Sequence, residues 1–379
     1  MATRRTPCIA SYSWYNDEQP VVHVGTGWRS DLARTTIGQI ARSLNVSKST
    51  VSRVMNNAPG TRVSDSTRQR IMAACREQGY RPNFSAQALA TGRTRLLGVH
   101  VQSLNDDYYG DFFRHFDDAC YPHGYTVLFS SSQYDRDRER RNLEAFLSGQ
   151  MDAVLVTRTP KQHEDLLRRI IQRGVHVILM GEMPTTRFPL VTIDEFEVGR
   201  LAAQHLWSQG HRRVMYLAAE KASDQSGQIH FHRRENFLGP WEQISRGLPL
   251  RQFTVGDGLS GALDAAEFVS SLAADQRPTA IACGTDRLAL SMLSALRARK
   301  LAVPDDISVI GCDDITAAAE AAVPLTTIRQ PRDRLAQAAW QMLKERLDAG
   351  EPAAEEVDPP QVLVPPELIV RKSTKRVTN

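Results

Sequence analysis

Between residues 36 and 80 the apolar positions fall on three short helical stripes. Ile37, Ile40, Ala41 and Leu44 stand at i, i+3, i+4 and i+7, one face of a short amphipathic helix. Thr36 and Gln39 fit a capping box at its start, the threonine as cap and the glutamine reaching back. Asn45-Val46-Ser47 breaks the stripe: asparagine tolerates a left-handed backbone, and Ser47 is a good cap for the next helix. That second helix turns Val51, Val54 and Met55 inward and leaves Lys48, Ser49, Ser52, Arg53 and Asn56 outside. Ser64 opens a third helix with Ile71, Ala74 and Cys75 inward, which Gly79 terminates and Pro82 prevents from continuing. The pattern predicts a minimal three-helix bundle, its first two helices arranged as a helix-turn-helix.

From Leu96 onward the period changes. Short β-branched runs (Leu97–Val101, Tyr125–Phe129, Ala153–Val156, Val175–Met180, Val214–Leu217, Thr279–Cys283 and Ile307–Ile310) alternate with amphipathic stretches of helix length. Apolar strands bounded by such helices indicate parallel sheets covered on both faces. The length of this region predicts two doubly wound lobes, with ligand bound at the carboxyl ends of strands in the cleft between them.

Charge distinguishes the two regions. The 379 residues carry a net charge of +4. Residues 1–95 hold 14 Lys/Arg against 5 Asp/Glu, and the remainder holds 33 against 38. Within 35–95 the balance is ten to two, a density that phosphates would neutralise and that predicts steeply salt-dependent binding. An ordinary αα-hairpin gives the same helical pattern, but the second helix here exposes side chains suited to the major groove. No run approaches the roughly 20 apolar residues needed to span a membrane. Arg4 and Arg5 are followed by Ser11, Ser13, Asn16, Asp17 and Glu18 where a signal peptide would be apolar, so a cytoplasmic protein is expected. The five cysteines are scattered and read as reduced thiols. His230 and His232 have no third ligand nearby and read as a surface loop; neither metal nor cofactor is expected.

The runs "VSKSTVSRVMNN", "VSDSTRQRI", "GYRPN", "ALATGRT" and "LGVHV" together resemble the lactose-repressor (LacI/GalR) family of bacterial regulators. The resemblance implies an all-α helix-turn-helix head of the lambda-repressor-like kind on an α/β, two-lobed, periplasmic-binding-protein-like body of doubly wound parallel sheets. It implies an effector-gated regulator, more readily a repressor than an activator, acting as a homodimer on a pseudo-palindromic double-stranded DNA operator. By the same resemblance Lys48, Ser49 and Arg53 fall at base-reading positions, and Arg53 suits bidentate contact to guanine. Ser47, Thr50, Ser52 and Asn56 would anchor phosphates, as would Thr36 at a helix N-terminus. Ala86 and Leu89 fall at the hinge positions that meet the minor groove, Leu89 as the wedge. Asn57 to Arg62 form a loop about two residues longer than the family's usual one.

In the body the family-like runs are "VTIDEFEVGRLAAQHLWSQGHRRV", "GTDRLALSML", "VPDDISVIGCDDI", "PLTTIRQP" and "PPELIVRKS". Chain crossings between lobes are expected near Gln209, Arg329 and Ala349. That gives a first lobe of about 96–209 plus 330–348 and a second of about 210–329 plus 349–373. The boundaries before and after these are an N-terminal extension at 1–34, expected to be disordered, a head at 35–81, a hinge and linker at 82–95, and a tail at 374–379. No apolar heptad follows Ser373, so a dimer is expected rather than a tetramer. The resemblance places Asp107, Tyr108, Tyr109, Asp286 and Gln330 in the effector cleft and implies a carbohydrate-like small molecule. The family's ligand-gripping arginine has its place at Asn236, three residues before Gly239, and Arg233 and Arg234 lie just upstream; Arg234 and Asn236 complete the expected set.

Two other readings compete. Gly256, Gly258 and Gly261 match G-x-G-x-x-G before a helical stretch, as in an NAD-dependent oxidoreductase with Asp286 on the ribose. The preceding "LPLRQFTV" is not a buried apolar strand, which counts against a dinucleotide site. A solute-binding sensor without DNA activity conflicts with the basic head. The expectation is therefore a regulator and not an enzyme.

Overall fold

The computed structural model describes residues 35–55, 62–80, 92–104, 107–148, 151–157, 163–181, 187–220, 226–256, 258–350, 353–354 and 356–377. The chain divides into two compact units, Met1–Ala86 and Gln87–Asn379.

In the first unit α1 (Ile37–Ser43), α2 (Lys48–Met55) and α3 (Asp65–Glu77) enclose one small core of Ile40, Ala41, Val51, Val54, Ile71, Ala74 and Cys75. The capping box at Thr36 and Gln39 is present in both directions. Ser47 accepts from the Thr50 amide at 3.0 Å, and Ser64 from that of Thr67 at 3.3 Å. Asn45 turns the chain between α1 and α2 at φ 52°, and Gly79 ends α3 at φ 62°. Each local signal of the sequence thus closes an end of a helix whose apolar stripe has one place to go.

The second unit holds two sheets. The first lobe runs β1 (Leu96–Val101), α4 (Asp107–Cys120), β2 (Thr126–Ser131), α5 (Arg136–Ser148), β3 (Ala153–Thr157), α6 (Glu164–Gln172), β4 (His176–Met180) and β5 (Leu190–Ile193). The second runs α7 (Glu195–Ser208), β6 (Val214–Glu220), α8 (Ser226–Ser245), β7 (Arg251–Gly256), α9 (Leu259–Ser271), β8 (Ala280–Cys283), α10 (Asp286–Ala298), β9 (Ser308–Asp313), α11 (Thr316–Glu320) and β10 (Thr326–Arg329). Then α12 (Arg332–Ala349) and β11 (Gln361–Val364) return to the first lobe, and β12 (Glu367–Ile369) closes the second. The strand orders are β11-β5-β4-β3-β1-β2 and β12-β10-β9-β8-β6-β7. Pairing is parallel throughout except between β10 and β12. Central strands such as β3, apolar at four of five positions, are buried along their whole length, whereas the edge strand β7 buries one residue, Val255. Among the described residues no helix is long and apolar enough to cross a membrane.

Two expected crossings move. The chain leaves the first sheet between Ile193 and Glu195 rather than near Gln209, because α7 buries Val198, Ala202, Ala203 and Leu206 in the core of the second lobe. There it lies so close to α8 that a Cβ on Gly199 would stand 1.9 Å from the Asn236 carbonyl oxygen. The last crossing falls between Val364 and Glu367 rather than near Ala349, since β11 pairs in parallel with β5. The middle crossing lies between Arg329 and Arg332. The expected tail is not separate either: Val377 donates to the Gln209 carbonyl at 2.8 Å, and the Thr374 hydroxyl stands 2.9 Å from His205 Nε2.

Candidate functional site

Two sets of side chains carry chemistry. The first is the outer surface of α2. Val51 and Val54 are buried, and this fixes the rotation of the helix so that Lys48, Ser49 and Arg53 are exposed. Neither α1 nor α2 has an acid in its first turn, so the positive ends of both helix dipoles are left unopposed. Thr36 and Ser47 are exposed at those two ends, while Thr50 and Ser52 are half-buried on the flank. The Ser47 oxygen lies 2.7 Å from the Ser49 hydroxyl and 2.8 Å from that of Thr50, so these groups form one small polar cluster. Asn56, Ala86, Leu89 and the extension at 1–34 lie outside the described residues.

The second set lies at the carboxyl ends of the strands, where the two lobes meet. Asp313, the last residue of β9, is its centre. Its Oδ1 accepts from Arg233 Nη1 at 3.1 Å and from Gln330 Nε2 at 2.6 Å. Arg233 also donates to the Gly284 carbonyl at 3.1 Å and reaches Glu195 at 3.3 Å. From the first lobe, Tyr108 presents its ring to Arg332 with 5.7 Å between guanidinium carbon and centroid, and burial pushes its phenol up. Arg332 pairs with Asp111 at 2.8 Å; burial opposes charge on that carboxyl, but hydrogen bonds from Arg332 and Arg114 hold it below its ordinary range. The cleft wall thus offers an aromatic face, a guanidinium, an amide and carboxylates within one small region, a set able to hold a polar, hydrogen-bonding solute.

Several expected cleft residues are elsewhere. Tyr109 belongs to the core of the first lobe with Phe112, Phe113 and Phe116, one helical step away from Tyr108. Arg234 pairs with its neighbour Glu235 at 3.1 Å, and it is Arg233 that reaches the strand ends. Asn236 is half-buried on α8, and its carbonyl is the one packed against Gly199. Asp107 is exposed in the first turn of α4. Gln330 lies at the cleft with its amide on Asp313.

Asp286 is wholly buried. Its carboxylate accepts from the Thr327 hydroxyl and, at 3.0 Å, from the Ile315 amide. Burial, then the nearby charge of Asp313, pushes its pKa up to about 7. It is a pin beneath the Asp313–Asp314 loop rather than a group facing solute, and it has no free edge for a ribose. Two glycines of the G-x-G-x-x-G run have a structural reason. Gly258 turns at φ 85°, and a Cβ on Gly261 would stand 2.0 Å from the Gly256 carbonyl oxygen. Sequence reasoning missed Asp313 and Arg332. Arg332 carried a legible signal: it begins the stripe Leu335, Ala336, Ala339 at i+3, i+4 and i+7, which is buried in the first lobe.

Comparison with known proteins agrees with both halves. The model of bacterial regulatory proteins of the lacI family matches residues 36–83, and that of a periplasmic binding protein-like domain matches residues 203–374. The chain is 30% identical over 346 residues to an HTH-type transcriptional repressor PurR of Mannheimia succiniciproducens, covering 90% of this chain and 99% of that one. It is 29% identical over 344 residues to the HTH-type transcriptional regulator DegA of Bacillus subtilis, with 90% and 98% covered. A lac repressor dimer solved on operator with the anti-inducer ONPF superposes with a TM-score of 0.75 at 24% identity, over 90% of this chain and 99% of that one, which speaks for the fold. Helix-turn-helix head, paired parallel sheets and near end-to-end similarity to PurR converge, and the chain belongs to the lacI family of bacterial regulatory proteins.

Proposed function

We infer that this chain is a sequence-specific DNA-binding regulator of transcription, acting as a repressor, whose operator affinity is set by a small molecule held between the two lobes. One observation carries the reading. The burial of Val51 and Val54 turns Lys48, Ser49 and Arg53 outward on a helix that has no acid in its first turn. Arg53 reads a base, and Thr36, Ser47, Thr50, Ser52 and Asn56 hold phosphates on either side. Ala86 and Leu89 enter the minor groove, and the protein works in the cytoplasm as a homodimer on a pseudo-palindromic site.

The effector is a polyhydroxylated small molecule, a sugar or sugar derivative. The mix of donors and acceptors at Arg233, Asp313 and Gln330, next to the Tyr108 ring, supports this class. Asp107 is exposed one residue before Tyr108. Selection from a pool of random duplexes with the full chain tests the DNA reading. A pseudo-palindromic site should be enriched, and a pool that stays random after repeated rounds would refute sequence-specific binding. A thermal-shift screen of sugars against nucleosides separates effector classes, and stabilisation by nucleosides alone would refute the sugar.

A further inference from the structure

Arg332 is the first residue of α12 and belongs to the first lobe, yet two of its nitrogens bind the second. Nη1 donates to the Asp313 carbonyl and Nη2 to that of Asp314 at 2.8 Å, while Nε holds Asp111 at 2.8 Å. The two carbonyls belong to a strained backbone: Asp313 has φ 127° and Asp314 φ 54°, consecutive non-glycine residues in the left-handed region. The Asp314 side chain is tied to its own lobe by Arg329 at 2.7 Å and Arg371 at 2.6 Å. The Asp313 side chain is the acceptor for Arg233 and Gln330. Any solute that competes for Arg233 or Gln330 therefore pulls on a peptide whose oxygens Arg332 grips.

The far end of the same helix grips the last residues of the expected hinge and linker. Arg93 Nη2 donates to the Leu347 carbonyl, and Arg93 lies 4.0 Å from Asp348. The next two amides are clasped by one carboxylate, Thr94 on Asp152 Oδ1 at 2.7 Å and Arg95 on Oδ2 at 3.0 Å. Between its ends α12 is 18 residues long, about 27 Å at 1.5 Å per residue. It buries Leu335, Ala336, Ala339, Trp340, Met342, Leu343 and Leu347 against α4 and the first sheet. A helix packed along its whole length moves as a rod, because a close-packed core resists local bending.

The geometry points to α12 as a strut between cleft and hinge exit, with Arg332 as the positioning residue that couples it to the strained Asp313–Asp314 loop. No solute touches Arg332 in this scheme; it acts through the two carbonyls. The strut's regulatory use rests on the function proposed above, whereas its mechanical coupling does not. Amide hydrogen exchange on the full-length protein, without DNA or ligand, tests the coupling alone. Arg332→Met should speed exchange at Thr94 and Arg95 by about fivefold or more while the amides of Ala280–Cys283 stay unchanged. Arg332→Lys, which keeps the charge but loses the fork, should fall between. Coupling is reciprocal, so Arg93→Met must speed exchange at Ile315. Unchanged exchange at Thr94 and Arg95 in Arg332→Met, or uniform acceleration across both lobes, would overturn the strut. If Arg332→Met does not fold, Asp111→Asn, which weakens the Nε contact and the exposed Arg114 pair but leaves both carbonyl contacts of Arg332 in place, should give a smaller change with the same pattern. A flat profile there overturns the proposal too.

Discussion

Replacing Asp286 with asparagine should remove the part of the second lobe's pH dependence that favours the folded state at acid pH. The carboxyl is fully buried, and its pKa stands near 7 against an ordinary 3.8. The folded state therefore binds this proton more tightly than the unfolded chain does. The stabilisation is complete below pH 3.8 and is lost as pH rises through about 7. The full span corresponds to roughly 4 kcal/mol, of which roughly 2 to 3 kcal/mol falls between about pH 5 and pH 8. Asparagine carries no proton to lose. Its oxygen can accept from the Ile315 amide as the carboxylate now does, and its NH2 can donate to the Thr327 hydroxyl. Urea unfolding followed by tryptophan fluorescence at the two pH values measures the difference, with Trp207 and Trp241 both reporting from the second lobe. Burial pushes His100, His205 and His211 down, so their contribution to stability is lost as pH falls and acts against Asp286 in the same window. The midpoint of Asp286→Asn relative to wild type should therefore rise from the lower to the higher pH. Equal slopes in the two proteins would refute Asp286 as the titrating group, and a variant midpoint that falls relative to wild type as pH rises would refute the sign.

Further predictions concern the head and the close helix contact. Arg53→Ala should cost about 1–3 kcal/mol of operator binding and relax one base position, as read by competition with singly substituted duplexes; equal loss on every duplex would make Arg53 a phosphate contact instead. Gly199→Ala forces a Cβ to within 1.9 Å of the Asn236 carbonyl oxygen, so α7 and α8 must separate. It should lower stability by about 1–3 kcal/mol in urea unfolding, and an unchanged midpoint would show that the two helices can part freely.

The head was legible almost residue by residue because its signals are local. The Thr36–Gln39 box, Asn45, Ser47, Ser64 and Gly79 each act within a few residues of where they stand. The body's strands were legible as apolar runs, but their lobes were not. Helix α7 is amphipathic whichever sheet it covers, and nothing short-range says that Gly199 will meet α8. The cleft errors are errors of helical phase. Tyr109 shares its face with Phe112, Phe113 and Phe116 and so turns inward, leaving Tyr108 half-buried beside Arg332. Arg233 shares its face with Phe237 and Trp241 at steps of four, which aims it at the sheet and leaves Arg234 half-buried beside Glu235. Asp286 was read as a solute-facing acid, but its burial is decided by Thr327 and Ile315, dozens of residues away. The left-handed conformations of Asp313 and Asp314 have no sequence signal such as glycine, and only the structure reveals them.

Control of DNA binding by a solute in the cleft is the central claim, and fluorescence anisotropy of the selected duplex tests it most directly. Operator affinity is measured with and without the sugar that gives the largest thermal shift. A change of about fivefold or more, lost in Arg233→Gln, is the result predicted here. A sugar that stabilises the protein yet leaves operator affinity unchanged would contradict the account.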